Sequence, residues 1–289
     1  MGGSEMKVEK LTIRGTSEWN EDAWVVNEGL HLYGVIDGAT SLTPFRGPNN
    51  ETGGYMASHS IKAYLEALGE ERDGPLRLEQ AVLEANDGLR EQMKSFGIDT
   101  ADKQAVWSAG IAAVRVLEKH IDYVQAGDCM IYALYKDGSV RTVTRDQVGH
   151  IDAKTKLLLI EGIQQGITSQ AELRKLVTPA ILANKQTMNT FDGYSVMSGE
   201  SALADHLEYG RINRIQLEAL LLITDGLFPL QAQLDDLFDP QALVAEIRER
   251  TLQGYAQALL DQEASDSECQ RYPRFKTSDD KTAVWIRFD

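Results

Sequence analysis

Cysteine and histidine are scarce in this sequence, and their placement gives no support to the common metal and disulfide motifs. The 289 residues include two cysteines, Cys129 and Cys269, which are far apart and show no CxxC or Cys/His spacing. A zinc site or a disulfide framework therefore has little support, and we expect a reducing compartment. The histidines show no pairing at the spacing of metal ligands or a catalytic triad. They are His31, His59, His120, His150 and His206.

Long apolar runs and an excess of positive charge are also missing. No run approaches the roughly 18 apolar residues of a membrane span, and the segment from Met1 to Lys10 lacks the apolar core of a signal peptide. With 44 Asp plus Glu against 29 Lys plus Arg, the formal charge is −15, which repels nucleic acid and anionic membranes. We expect a cytoplasmic monomer that binds neither of them.

The sequence does contain enough apolar residues for a large core, together with four short acidic motifs. Hydrophobic residues make up 43% of the chain and charged residues 25%, which are proportions typical of a globular protein. Each acidic motif lies beside an apolar, strand-like run. The motifs are Asn20-Glu21-Asp22, Val35-Ile36-Asp37-Gly38, Ile223-Thr224-Asp225-Gly226 and Asp279-Asp280-Lys281-Thr282.

Carboxylates held close together at strand ends need cations between them. Two unit charges about 4 Å apart repel by about 4 kcal/mol at an effective dielectric near 20. A convergent set of carboxylates is therefore unfavourable unless metal ions lie among them, and oxygen ligands suit hard divalent cations. The acidic motifs indicate a divalent-metal site.

The first part of the chain is typical of strands followed by helices. Apolar alternation predicts that Asp22 and Asp37 bracket one hairpin. Helical spacing predicts helices near 52–68 and 75–96, the second with Pro75 in its first turn after Asp73-Gly74. Two amphipathic helices in sequence would cover one face of a sheet.

A β-meander follows the helices, with a tight hairpin turn at Asp137-Gly138. Its predicted strands are Val106–Leu117, Ile121–Ala126, Cys129–Tyr135 and Val140–Thr144. Runs of strands with helix pairs between them favour α and β layers with antiparallel sheets over regular βαβ alternation. No repeat or interdomain linker is visible, so we expect residues 1–289 to form a single α+β domain.

The second half of the chain is less regular. Residues 147–200 have helical patterns over 154–160 and 171–184, and we interpret this region as an inserted flap. A strand over 219–223 leads into the third acidic motif, a helix begins near Asp239-Pro240, and a final strand covers 283–286. We expect Asp261–Glu268 to be a short, solvated acidic loop.

The motifs, taken in order, resemble those of the metal-dependent protein phosphatases, the type 2C Ser/Thr phosphatases, in a divergent bacterial-type form. Each motif alone is weak, but the order extends over nearly the whole chain. The resemblance implies an α-β-β-α sandwich of two antiparallel sheets flanked by helix pairs, with a two-metal centre at one edge. The matching positions are Glu21-Asp22, Asp37-Gly38, Ser108-Ala109-Gly110, Gly127-Asp128, Thr144-Arg145-Asp146-Gln147, Asp225-Gly226 and Asp279.

The resemblance also implies ligand roles at a centre with two Mn²⁺ or Mg²⁺ ions. Asp37 would bridge the two ions, and the Gly38 carbonyl would ligate one of them. Asp225 and Asp279 would complete the shell of one ion, and Asp22 would act through metal-bound water. Hard, octahedral cations of this kind prefer such oxygen ligands.

Two further acidic residues have implied roles. Glu21 would orient water molecules beyond the ligands, and Asp128 matches the position that, with Asp225, can hold a weaker third ion. A hydroxide bridging the two ions would attack phosphorus, so that no protein nucleophile or phosphoenzyme is required. Ligand carboxylates and two dications roughly cancel in charge, so the site could accept a phosphate dianion despite the acidic surface.

The chain departs from the family pattern at three positions. Ser17 stands where the family commonly has a phosphate-binding Arg; Arg14 or Arg46 is a candidate substitute, although a solvated role is the simpler interpretation of both. Ala39 stands where some members have a His as general acid, so a water would have to protonate the leaving alkoxide. Asp280 replaces the usual Asn near the C-terminus.

The leading functional hypothesis is metal-dependent hydrolysis of phosphoserine or phosphothreonine in a phosphorylated protein. One alternative keeps the enzyme but assigns it to a dedicated bacterial signalling regulator. A second alternative is a non-catalytic binding protein that retains the fold and regulates a partner. The main acidic positions argue against the second alternative, whereas Ser17 and Ala39 favour it.

Overall fold

The computed structural model describes residues 6–39, 41–69, 75–233 and 238–288. The strands in these residues are β1 (Met6–Ile13), β2 (Asp22–Asn27), β3 (Leu32–Ala39), β4 (Ser108–Val116), β5 (His120–Ala126), β6 (Met130–Tyr135), β7 (Val140–Thr142), β8 (Glu208–Asn213), β9 (Leu217–Ile223) and β10 (Lys281–Phe288). The helices are α1 (Gly53–Glu66), α2 (Leu78–Ser95), α3 (Gly149–Gln164), α4 (Gln170–Lys185), α5 (Leu203–His206) and α6 (Pro240–Ala264), with a short 3-10 turn at Asp225–Leu227.

The strands form two five-stranded sheets in which every neighbouring pair is antiparallel. The first sheet has the order β1-β10-β9-β6-β7, and the second has the order β2-β3-β4-β5-β8. An apolar layer that includes Val35, Ile131 and Val284 lies between the sheets. Because neighbours in both sheets are antiparallel and the layers are mixed α and β, the expected fold class is confirmed.

Helices cover the outer face of each sheet. Side chains of α1 and α2, including Ile61 and Leu89, pack in one cluster with Ile36 of the second sheet. The long helix α6 packs in the same way against the first sheet through residues such as Ile247. Thr251 interrupts α6 with a φ of 68°, so two helical segments cover this sheet as a pair. The layer order is therefore α-β-β-α.

Strand β3 shows how the sequence produces this layering. Leu32 and Ile36 pack against the helices, whereas Tyr33 and Val35 pack between the sheets. Successive side chains of a strand point to opposite faces, and both faces of β3 are covered. Its continuous apolar run is therefore the pattern of a doubly buried strand, and it ends at Asp37.

The helix predictions for the first half are confirmed with shifted boundaries. Thr52 caps α1, because its side chain accepts a hydrogen bond from the Tyr55 N–H. The second helix begins at Leu78, its first buried apolar residue, so Pro75 precedes the helix and does not lie in its first turn. The expected Asp73-Gly74 start lies outside the described residues.

The four strands predicted over 106–144 are present, but the expectation that they form one meander is wrong, because β4 and β5 belong to the second sheet and β6 and β7 to the first. The hairpin turn between β6 and β7 is confirmed, since Gly138 has a φ of +86° and its N–H donates to the Tyr135 carbonyl. One strand, β8, was not expected. It is an edge strand that pairs only with β5 in its sheet, and most of its side chains are partly or fully exposed. Its polar sequence therefore lacks the apolar alternation by which a strand is recognised.

The region 147–200 contains helices α3 and α4, which pack against each other and extend both predicted helical patterns. They share a small apolar cluster of Leu159, Leu173 and Val177, against which Phe275 packs. In the described part of the chain, no helix combines the length and apolar character that crossing a bilayer requires.

The expectation of a solvated loop over Asp261–Glu268 is wrong. Helix α6 continues to Ala264, and Glu263 is buried against Lys281. Asp266 accepts a 2.7 Å hydrogen bond from Arg274 Nη1. The acidic run resembles a solvated segment in sequence because its cationic partners lie elsewhere along the chain.

Candidate metal centre

The acidic motifs from both sheets meet at one edge of the sandwich. In the second sheet, Asp22 at the start of β2 pairs directly with Asp37 near the end of β3. In the first sheet, Asp225 follows β9 and Asp279 precedes β10, and these antiparallel strands are neighbours. The end of β9 and the start of β10 therefore share an edge, which brings the four carboxylates together.

Asp128 joins this group from the loop between β5 and β6. Asp37 pairs with Gly110 across the sheet, and a Cβ built on Gly110 would lie 3.3 Å from the Asp128 Oδ1 atom. The absence of a side chain at Gly110 thus leaves room for the Asp128 carboxylate beside Asp37. Asp37, Asp128, Asp225 and Asp279 line one cavity of about 250 Å³.

Burial and mutual repulsion raise the pKa values of these carboxyl groups. Burial raises the pKa of Asp37 well above its usual value, and the charges of Asp22 and Asp225 add to the effect. Burial is also the largest cause of the raised pKa of Asp22. The pKa of Asp225 is raised to about 6 by burial and then by the charge of Asp279. Bound cations would relieve this repulsion.

The polar atoms present fit a hard divalent cation. The Oδ1 atom of Asp225 is buried and has no hydrogen-bond partner among the residues that the structure describes, although a buried carboxylate oxygen normally has one. Among the described residues, no three His, Cys, Asp or Glu side chains are grouped closely enough to hold an ion by themselves. Mg²⁺-like ions keep several water ligands, so carboxylates spaced around a shared cavity are compatible with such a centre.

Gly38 sits where only glycine fits. Its N–H donates to the Glu21 carbonyl at 3.1 Å. A Cβ at Gly38 would lie 2.3 Å from the Gly54 carbonyl oxygen and 2.5 Å from that of Glu21. The glycine therefore lets the end of β3 approach the first turn of α1, beside Asp37.

Glu21 and Asp280 form a clamp at the same edge. The Asp280 carboxylate accepts 2.7 Å hydrogen bonds from the Gly15 N–H at Oδ1 and from the Glu21 N–H at Oδ2. Two backbone donors need two acceptor oxygens, which an Asn amide cannot provide in this orientation. This requirement explains Asp280 where the family has Asn. The buried Glu21 side chain accepts a hydrogen bond from the Thr52 hydroxyl.

Three side chains at the centre were not predicted. Thr224 donates a 2.8 Å hydrogen bond to Asp22 Oδ2, and its position directly before Asp225 was the available signal. Asp152 of α3 lines the cavity of about 250 Å³ and a second, larger one of about 390 Å³ that Asp225 and Asp279 also line. The pKa of Asp152 is raised to about 7 by burial and then by the charge of Asp225. Lys276 Nζ lies 2.7 Å from Asp279 Oδ1.

The two predicted arginines lie away from these cavities. Arg14 donates to the Glu18 carbonyl at 3.0 Å, and Arg46 forms an exposed 3.1 Å ion pair with the Glu18 carboxylate. Neither arginine, nor Ser17, is among the residues that line the cavities, whereas Ala39 lines the smaller one. The structure therefore does not place Arg14 or Arg46 beside the carboxylates.

A buried network holds the backbone of Asp279. Lys281 is fully buried, and its Nζ atom donates at 2.9 Å to Glu263 Oε1, at 2.9 Å to the Asp279 carbonyl and at 3.1 Å to Ser278 Oγ. Ser278 Oγ in turn donates to Glu263 Oε2 at 2.7 Å. The network ties the end of α6 to the segment that carries Asp279.

Comparisons with known proteins agree with this architecture. A family profile described as Protein phosphatase 2C matches residues 14–265. Mycobacterium tuberculosis serine/threonine phosphatase PstP/Ppp is 17% identical, with 98% of this chain and 99% of that chain covered and a TM-score of 0.56. Stp1 from Staphylococcus aureus is 15% identical, with 99% and 96% covered and a TM-score of 0.57.

A structure of the PstP catalytic domain in complex with two manganese ions is 17% identical, with 98% of this chain and 97% of that chain covered and a TM-score of 0.57. No curated protein matches the sequence. At these identities the solved structures support the fold, and the profile match over most of the chain supports the family. The protein therefore belongs to the protein phosphatase 2C family.

Proposed function

We propose that the protein hydrolyses phosphoserine and phosphothreonine in phosphorylated proteins at a centre for two Mn²⁺ or Mg²⁺ ions. The observation that carries the proposal is the meeting of acidic motifs from both sheets around one cavity, with a buried Asp225 oxygen that has no partner. When bound, the ions would supply Lewis acidity that activates water and neutralises phosphoryl oxygens.

The residues divide the work of holding the ions. Asp37 and the Gly38 carbonyl would hold the ions, with Asp37 as the ligand common to both. Asp225 and Asp279 would be the further carboxylate ligands, and Asp22 would act through water. The hydrogen bond from Thr224 favours the charged form of Asp22, which is the form that binds cations.

The two remaining acidic positions support the centre from its rim. Glu21 is held by Thr52 and would orient water beside the ligands. Asp128, with Asp225, is the proposed position of a third, weaker ion. Lewis acidity and positioning suffice for phosphoryl transfer to water, so no side-chain nucleophile is proposed.

Helices α3 and α4 form one wall of the smaller cavity, through residues that include Asp152, Thr155 and Arg174. We propose that the region 147–200 is a flap that shapes the access of a phosphoprotein to the centre. A cytoplasmic location, a monomeric state and the absence of nucleic-acid or membrane binding stay predictions. So does a dedicated signalling regulator as the substrate.

Activity toward p-nitrophenyl phosphate and a phosphothreonine peptide, measured with Mn²⁺ and with EDTA, tests the function. We expect turnover that disappears with EDTA and in Asp37→Asn, but persists in Asp205→Asn, which changes an exposed carboxylate on α5. Calorimetric Mn²⁺ binding without turnover on either substrate would favour the non-catalytic alternative. Absence of Mn²⁺ binding would contradict the metal centre itself.

A further inference from the structure

Phosphate capture at this centre needs a cation that the sequence pattern did not identify. The chain has a net charge of −15, and the cavity edge carries several carboxylates. Ser17 replaces the Arg expected from the family pattern, and Arg14 and Arg46 are occupied by Glu18 away from the cavities. Because the ions only roughly balance the ligand carboxylates, a further positive group inside the cavity would strengthen the binding of a phosphate dianion.

Several cationic side chains line the two cavities, but most are engaged elsewhere. Arg274 is bound to Asp266 and to backbone carbonyls. Lys185 donates to the Val106 carbonyl at 3.3 Å, and burial lowers its pKa to about 8. The full set is Lys156, Arg174, Lys185, Arg274 and Lys276.

Two of these cations lie on the helices of the 147–200 region and are held by neighbouring groups. Lys156 donates to Gln231 at 3.0 Å, and Arg174 donates to the Phe275 carbonyl at 3.2 Å.

Lys276 differs from the other four in position. Its Nζ atom lies 2.7 Å from Asp279 Oδ1, and its side chain is 28% exposed, so the ammonium is both at the centre and accessible. It lines both cavities together with Asp225 and Asp279. An ammonium has three N–H donors, and the bond to Asp279 uses one of them.

We propose that Lys276 binds the phosphoryl group of the substrate, with Nζ donating to a non-bridging oxygen of a phosphate monoester. The proposal rests on the proposed function for the identity of the substrate. An ammonium shared between Asp279 and a phosphoryl oxygen supplies the positive charge that Ser17 cannot. Inorganic phosphate, the product of hydrolysis, presents the same oxygens and is therefore a suitable probe.

The test is calorimetric binding of inorganic phosphate to the Mn²⁺-loaded protein, with Mn²⁺ affinity measured separately. In Lys276→Gln, phosphate affinity should fall by about tenfold to a hundredfold, which is the range for one charged hydrogen bond. Mn²⁺ affinity should stay the same or rise, because the variant removes a cation that competes for Asp279. Lys276→Arg should retain most of the phosphate affinity.

Lys156→Gln is the matched control, because it removes a lysine that lines the larger cavity and whose Nζ donates to Gln231. It should leave phosphate affinity within about twofold of wild type, a change of less than 0.5 kcal/mol at 1.4 kcal/mol per factor of ten. If turnover is present, Lys276→Gln should raise KM for p-nitrophenyl phosphate, whereas Lys156→Gln should not.

Full phosphate affinity in Lys276→Gln with Mn²⁺ bound would overturn the proposal. Phosphate binding through Lys276 without hydrolysis would instead retain this proposal and contradict the catalytic one.

Discussion

The buried pair of Lys281 and Glu263 provides a sharp test of how the centre is supported. Their side chains are 0% and 6% exposed, and the two charges lie 2.9 Å apart. Replacing Lys281 with Met removes the ammonium but keeps a side chain of similar length. Glu263 is then left as a buried carboxylate whose remaining hydrogen bond comes from Ser278.

Loss of one partner from a buried ion pair costs about 3–5 kcal/mol, because the other charge is left uncompensated. At about 2–4 °C per kcal/mol for a large domain, Lys281→Met should lower the melting temperature by roughly 6–20 °C. Replacing both members, as in Lys281→Met with Glu263→Leu, should restore much of this loss, since removing a whole buried pair is often nearly neutral.

Thermal and urea unfolding in EDTA measure these costs, and the same melts with Mn²⁺ measure the effect on the centre. Because Lys281 Nζ donates to the Asp279 carbonyl, both variants should also show a smaller Mn²⁺-induced rise in melting temperature. A single variant that loses less than about 1 kcal/mol, or a double variant that is no more stable than Lys281→Met, would contradict this reasoning.

Three further predictions concern the carboxylates. Asp37→Asn should reduce turnover by at least about a hundredfold and abolish most of the stabilisation by Mn²⁺. In the wild type this stabilisation is about 2.7 kcal/mol per site at a free Mn²⁺ concentration 100 times the dissociation constant. Asp279→Asn should cost little stability in EDTA yet lose part of the Mn²⁺ shift in melts; an unchanged shift would show that Asp279 is not a ligand. Metal-free melting temperatures should fall as pH rises from about 4 to about 7, and Asp152→Asn should flatten this slope, because burial raises the folded-state pKa of Asp152 to about 7 and the stability that its neutral form gives is fully present only below the ordinary Asp pKa.

Local patterns predicted most of the fold because each element carries its own apolar face. Helix α2 shows Val82, Leu89 and Met93 at helical spacing, and all three are buried. Strand β8 was missed because an edge strand needs few buried side chains. The end of α6 was missed for a different reason: its acidic residues are neutralised by Lys281 and Arg274, which follow the helix in the chain.

The order of the acidic motifs could be obtained from the sequence, but the supporting contacts could not. Asp22 and Asp37 are joined by a hairpin, so their proximity follows from local alternation. Asp225 and Asp279 meet only because β9 and β10 are neighbours in the first sheet. The family resemblance implied that these two residues meet, but no local pattern in the sequence determines it. Lys276 was overlooked because an isolated lysine carries no motif, although it lies three residues before Asp279.

Two side chains support the centre through the backbone. Asp280 holds the backbone N–H groups of Gly15 and Glu21, and Lys281 holds the backbone carbonyl of Asp279. These two side chains fix the chain without bonding to a proposed ligand carboxylate, and Asp225 Oδ1 has no hydrogen-bond partner among the described residues.

Lys276 departs from this arrangement, because its ammonium contacts a ligand carboxylate directly and also faces the cavity. A lysine placed beside Asp279 only to neutralise that carboxylate would be redundant once ions are bound. A lysine retained there has a use only if a second anion enters the loaded centre, and a phosphoryl group is the anion that the proposed chemistry brings.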